Sequence, residues 1–137
     1  MDRIFKRDLG ELGDVFAFLD NFAEESDVGM SIVLPVRLAI EELFTNMVRH
    51  NTSGNSDITI SLDKKDERLV VVLTDHDVAE PFDPIRREEV DITAGLEDRE
   101  AGGLGIHLVK RMVDEIHYHY SATLQQSQIT LIKSVNP

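Results

Sequence analysis

Gly102-Gly103-Leu104-Gly105-Ile106-His107-Leu108-Val109 sets three glycines directly ahead of apolar residues at helical spacing, a pattern that Met112, Val113 and Ile116 continue. The spacing predicts a helix over 104–116 that opens on a glycine run. Glycines let a backbone approach a ligand closely, and the free N–H groups at a helix start carry partial positive charge, so such a junction suits phosphate. A hinge or a simple helix cap accounts for the same residues. No Gly-Lys-Ser/Thr follows, so this is not a P-loop, and the spacing is not that of a dinucleotide-binding fingerprint. If the segment holds a nucleotide, it does so in some other fold.

Upstream, residues 82–102 show no periodicity, and so long a stretch inside a compact domain reads as a lid, here placed at about 83–102. Before it stands Leu69-Val70-Val71-Val72-Leu73, apolar throughout, which predicts a central strand covered on both faces. The chain then runs Asp75-His76-Asp77-Val78-Ala79-Glu80-Pro81-Phe82-Asp83-Pro84. A carboxylate just beyond a buried strand can accept a hydrogen bond from a ligand amine, and a small residue two positions later admits a flat ring. Taken alone, an Asp- and Pro-rich stretch is also an ordinary turn. The charged segment 63–67 links strand 69–74 back to a strand over 58–62 as an antiparallel hairpin.

Further upstream, a helix is predicted from about Leu34 to His50, with Pro35 tolerable in its first turn. Glu42, Asn46 and His50 follow at steps of four and share one stripe, at the edge of an apolar face made by Ile40, Leu43, Phe44 and Met47. The solvated edge of an amphipathic helix explains the spacing, but Asn is mildly unfavourable in mid-helix, and service as an oxygen ligand to Mg²⁺ would give it a reason. A short strand over 3–7, a helix over 9–25, a break at 26–31 containing Gly29, and closing strands near 117–124 and 127–135 complete the chain. Hairpin-joined strands and helices without regular βαβ alternation indicate an α+β sandwich.

Composition narrows the function classes. The 137 residues fit one domain with a real core, and the absence of cysteine removes disulfides, thiolate metal sites and a catalytic thiol. The charged N-terminal stretch is no secretory segment, and no apolar run approaches the ~20 residues that span a bilayer, so the expected location is cytoplasmic. A net charge of -12 repels phosphate backbones and anionic lipid, leaving a protein or a small ligand as partner rather than nucleic acid or membrane.

Three individually weak signals in this order are more specific than any one of them. An acidic residue with Asn four later on a helix, then Asp-x-small-x-Pro-Phe after a strand, then a lid and Gly-Gly-Leu-Gly before a helix resembles the GHKL superfamily of Bergerat-fold ATPases and kinases. Within it, the chain looks most like the small anti-sigma factor serine/threonine-protein kinases, over nearly its whole length. Glu41-Glu42-Leu43-Phe44-Thr45-Asn46 resembles their N box, Pro81-Phe82-Asp83-Pro84 the end of their G1 box, and residues 102–109 their G2 box.

The resemblance implies a single domain over 1–137, built as a two-layer sandwich of a mixed, mostly antiparallel sheet with helices on one face. It implies Glu42 as the general base toward a serine hydroxyl, Asn46 as the Mg²⁺ ligand, and Asp77 as the partner of the adenine amino group. Ala79, Phe82, Gly103, Leu104, Gly105 and Ser127 would complete the ATP site. Asp75 is the alternative adenine ligand, but Asp77 stands at the family's five-residue distance from Phe82. His50 matches a frequent family position and is given a role in packing or in supporting a site residue, not in catalysis. Ala79 departs from the family's usual glycine, and Gln125-Gln126-Ser127 stands where relatives often carry Gly-Thr.

The implied function is an ATP-binding anti-sigma regulator that phosphorylates a STAS-type antagonist and binds a sigma factor or similar protein. Homodimerisation comes only as a family habit. A catalytically inactive module that sequesters a partner is the alternative, with Ala79 in its favour and the retention of Glu42 and Asn46 against it. A histidine kinase ATPase domain would need a phosphoacceptor hairpin in trans.

Overall fold

The structure, a computed structural model, describes residues 1–50, 57–78 and 103–135, with 103–106 described by backbone alone. Strand β1 (Asp2–Phe5) leads through a 3-10 turn at Leu9–Glu11 into α1 (Leu12–Glu25) and α2 (Met30–His50). The hairpin β2 (Ile58–Lys65) and β3 (Arg68–Asp75) follows, then α3 (Gly103–Met112), β4 (Glu115–Ser121) and β5 (Gln126–Ser134). The strands form one open sheet in the order β1-β2-β3-β5-β4, and every described pairing is antiparallel. The fold is therefore α+β, two layers deep.

Alternation along the strands decides which face the helices cover. Ile58, Ile60 and Leu62 of β2, Leu69, Val71 and Leu73 of β3, and Ile129 and Leu131 of β5 are buried, and the register sets Ile60, Leu73 and Ile129 side by side. They meet Phe18, Leu19 and Phe22 of α1 and Ile40, Leu43, Phe44 and Met47 of α2 in one core. Phe5 brings β1 into it, with its ring 5.8 Å from that of Phe18. Helix α2 lies in the middle of the helical layer, packed against both α1 and α3. The central position expected for 69–73 holds, but coverage on both faces does not: Val70 and Val72 are only half-buried on the side without helices. β-branched residues are favoured on any pleated surface, so an apolar run in a strand need not mean two covered faces.

Several boundaries differ from expectation for local reasons. Helix α2 starts at Met30, so Pro35 lies inside it and not in its first turn. The missing Pro35 N–H frees the carbonyl of Ser31, which is exposed and open to water. The break before α2 is a helix stop centred on Asp27, not on Gly29. Asp27 takes a left-handed φ of 58°, the Val28 N–H donates to the Ala23 carbonyl at 2.8 Å, and the Asp27 N–H donates to Glu24. These are the paired hydrogen bonds of a Schellman stop with aspartate where glycine usually sits. Gly29 instead accepts the first amides of α2, from Ile32 and Val33. Ile116 belongs to β4 rather than to the preceding helix.

The β2–β3 turn is two residues long, since Lys65 pairs with Arg68, and Asp66 and Glu67 both take positive φ, 50° and 61°. That is a type I′ turn, which suits Asn-Gly far better than a glutamate. The double change Asp66→Asn, Glu67→Gly is expected to stabilise the protein by about 1 kcal/mol, read as a higher urea midpoint at unchanged m-value.

Candidate functional site

Helix α2 carries the first predicted site residues along one row. Glu42 is half-buried and Asn46, one turn further on, is 6% exposed. A buried asparagine in mid-helix requires a polar partner, from the protein or from a ligand. Glu42 Oε1 is inaccessible to solvent and has no hydrogen-bond partner among the described residues. Burial pushes the Glu42 carboxyl above its ordinary value, against the attraction of Arg49, and with a smaller push from neighbouring Glu41. A half-buried carboxyl with one buried, unpartnered oxygen and raised proton affinity is costly to keep ionised and suited to taking a proton. His50 is exposed in the last turn of α2.

The second group lies where β3 ends. Asp75 is buried, and its carboxylate is engaged by the Arg7 guanidinium, itself almost wholly buried. The other Arg7 terminal nitrogen donates to the Met47 carbonyl at 2.8 Å. Met47 is among the last four residues of α2, whose carbonyls lack intrahelical acceptor duty, so Arg7 also caps the negative end of that helix. One cation thus ties the helical turn bearing Asn46 to the strand end bearing the Asp75-His76-Asp77 corner. The sequence reading passed over Arg7, because its partners lie 68 and 40 positions away. Asp75 is thereby occupied, whereas Asp77 is exposed.

Asp77 is fixed by its backbone. It takes a left-handed φ of 57°, and the next residue is held twice: the Val78 N–H donates to the Gln125 carbonyl at 2.7 Å, and its carbonyl accepts from the Tyr120 hydroxyl at 2.7 Å. Tyr120 and Val78 carried no signal in the sequence. Ser127 is buried and stands directly opposite Asp75 in the β3–β5 ladder, so it borders the same corner. Gln125 holds a left-handed φ of 50°, a conformation a glycine would take without strain.

Helix α3 begins at Gly103, with Gly105 in its first turn, as the glycine run predicts, and it packs on α2 through an inner face that includes buried Val109. The side chain of Leu104, the residues Ala79 and Phe82, and the lid at 83–102 lie outside the described residues. Among the described residues no group of three His, Asp or Glu side chains could hold a metal, and no helix is long and apolar enough to cross a membrane.

Comparison with known proteins bears on the family and the fold. The family model described as histidine kinase-like ATPase domain matches residues 5–133. The serine-protein kinase RsbW of Listeria monocytogenes is 26% identical over 108 residues, which is 74% of this chain and 68% of that protein. Among solved structures, the RsbU and RsbW domains of a Mycobacterium tuberculosis protein superpose with a TM-score of 0.70 at 14% identity. That match covers 98% of this chain but 32% of the other, so the chain spans about a third of that protein. A chain of the SiaB-SiaC complex from Pseudomonas aeruginosa matches with a TM-score of 0.60 at 11% identity, covering 97% of this chain and 88% of that one. At such identities the structural likenesses show the fold.

Proposed function

The chain belongs to the histidine kinase-like ATPase domain family, and on that premise we propose that it is an ATP-dependent serine/threonine kinase of a partner-switching circuit, phosphorylating a STAS-type antagonist protein. The observation that carries the reading is Glu42: a buried carboxylate oxygen without a partner among the described residues, one helical turn from buried Asn46. The RsbW relative, a serine-protein kinase, supports the kinase class. In this reading the circuit's other partner is a sigma factor or similar regulator.

Each residue has a separate task. Asn46 would hold Mg²⁺, which supplies charge neutralisation to the phosphates. Asp77 would accept a hydrogen bond from the adenine amino group at a position fixed by Val78, Tyr120 and Gln125. Ala79 and Phe82 would flank the base, Gly103, Leu104 and Gly105 would bring free amides to the phosphates, and Ser127 would offer a hydroxyl at the floor. The acceptor serine oxygen forms its bond to the γ-phosphorus as the bond from that phosphorus to the bridging oxygen breaks and ADP departs. The serine proton passes to the Glu42 carboxylate. Positioning and electrostatic neutralisation dominate such transfers, so this small set is chemically sufficient.

Calorimetric titration with ATP and Mg²⁺ tests the nucleotide half of the proposal. Wild type is expected to bind, Asp77→Asn to weaken binding at least about tenfold, and Asn46→Ala to remove the Mg²⁺ dependence. Asparagine tolerates left-handed φ, so Asp77→Asn changes the charge without disturbing the corner. No binding by wild type at millimolar ATP would turn the reading toward a sequestering module, with Ala79 closing the site.

A further inference from the structure

The row on α2 that contains Glu42 and Asn46 extends backwards through large apolar residues that none of the described elements covers. Met30, Leu34 and Leu38 precede Glu42 at successive steps of four and are 58%, 48% and 49% exposed. Each step turns the row about 40° around the helix, so Leu38 lies on one flank of Glu42 and Asn46 on the other. Exposure follows that turn: open at Leu38, half-buried at Glu42, buried at Asn46. Glu42 thus stands on the boundary between an outward apolar ridge and the inward polar site. Isolated exposed leucines are ordinary, but three large apolar side chains in line on successive turns form a patch.

The charges beside the ridge are one-sided. Glu41 lies one turn beyond Leu38, next to Glu42, and both are acidic. The cation of this helical stretch, Arg37, is turned to α1, where its guanidinium donates to both oxygens of Asp20 at 2.6 and 2.8 Å and lies 5.4 Å from the centre of the Phe16 ring. What faces outward is apolar for about 12 Å of helix, from Met30 to Leu38, and then acidic.

We propose that this ridge is the docking surface for the phosphoacceptor protein, which meets Met30, Leu34 and Leu38 with an apolar patch and Glu41 with a basic residue beside its acceptor serine. The inference rests on the kinase reading and adds where and by what chemistry the protein substrate is recognised. Leu38 is about 6 Å along the helix from Glu42, so a domain seated on the ridge with its serine at the rim of its own patch brings that hydroxyl to the carboxylate. Nucleotide approaches Glu42 from the opposite flank, past Asn46, and the two substrates do not compete for surface.

The test uses the full chain and, as probes, the unphosphorylated STAS-domain proteins of the same genome, assayed for ATP-dependent phosphorylation. For an acceptor that wild type phosphorylates, the double variant Leu34→Ser, Leu38→Ser is expected to raise KM for the protein at least about tenfold while the ATP dissociation constant and thermal midpoint hold. Glu41→Lys is expected to raise the same KM and to make it less sensitive to salt. An unchanged KM in both variants overturns the docking surface and leaves the kinase reading intact. Conversion of a wild-type dimer to a monomer by the leucine variants, seen in sedimentation, also overturns it, because a second copy then covers the ridge. If wild type binds ATP yet phosphorylates none of the probes, the kinase reading falls and the docking surface falls with it.

Discussion

Glu42→Gln is expected to reduce phosphoryl transfer to a protein serine by about 10²–10⁴-fold while ATP binding persists and the protein melts no earlier than wild type. The amide keeps the shape of the side chain and cannot take the serine proton. The stability half of the prediction follows from the direction of the Glu42 shift. Burial makes the carboxyl hold its proton more tightly in the folded chain than in the unfolded one. Between the ordinary and the raised value the folded state binds more protons, so this group's contribution to stability is present at low pH and is lost as pH rises through the raised value. At neutral pH the buried carboxylate is a net cost, which glutamine removes. Loss of activity with equal or higher stability identifies a group retained for chemistry. Comparable activity in the glutamine variant would remove Glu42 from the mechanism, and a fall in melting temperature would mean that the carboxylate serves the fold. The acid limb of the rate profile should lie above the ordinary glutamate range for the same reason.

The second large effect concerns Arg7. Arg7→Ala is expected to destabilise the protein by about 3–5 kcal/mol, because it leaves the Asp75 carboxylate buried without its cation and uncaps the end of α2. Arg7→Lys should lie between, since a single ammonium does not reproduce a planar fork that reaches the Asp75 carboxylate and the Met47 carbonyl from separate nitrogens. The pair Arg7→Met, Asp75→Leu should recover most of the loss, as apolar groups of similar size commonly replace a buried ion pair without penalty. Urea unfolding of wild type, Arg7→Met, Asp75→Leu and the double variant closes the thermodynamic cycle, with Arg7→Ala and Arg7→Lys measured beside it. A single-variant loss below about 1 kcal/mol would show that the ion pair is dispensable to the fold.

Periodicity made α1, α2 and the β2–β3 hairpin legible in the sequence, and the order of three motifs made the family legible. What escaped reading was set by partners distant in the chain or by single backbone angles. Arg7 is one charged residue in a charged N-terminal stretch, and only the folded sheet end shows that it joins Met47 to Asp75. Ile116 continues the apolar spacing of 106–113, yet Asp114 already pairs through its backbone with Ile132, so the sheet ladder wins over the helical pattern. The break at 26–31 was legible, but not that Asp27 adopts the left-handed angle within it. Asp77 was preferred to Asp75 by spacing alone, and the structure adds that Asp75 is occupied by Arg7 while Asp77 is exposed.

The ladder between β3 and β5 pairs Asp75 with Ser127 and Arg68 with Ser134, so the middle of the sheet closes only when residues 76–126 are looped out. Bringing such distant segments together is entropically slow, whereas the β2–β3 hairpin, closed by two residues, forms locally. A nascent chain accordingly has its hairpin and its first helices before it has the corner where Ser127, Val78 and Asp77 meet. Any ligand gripped at that corner binds the finished molecule and none of its precursors. At a hundredfold its dissociation constant it deepens the native state by about 2.7 kcal/mol, which makes ligand supply a brake on the turnover of the protein itself.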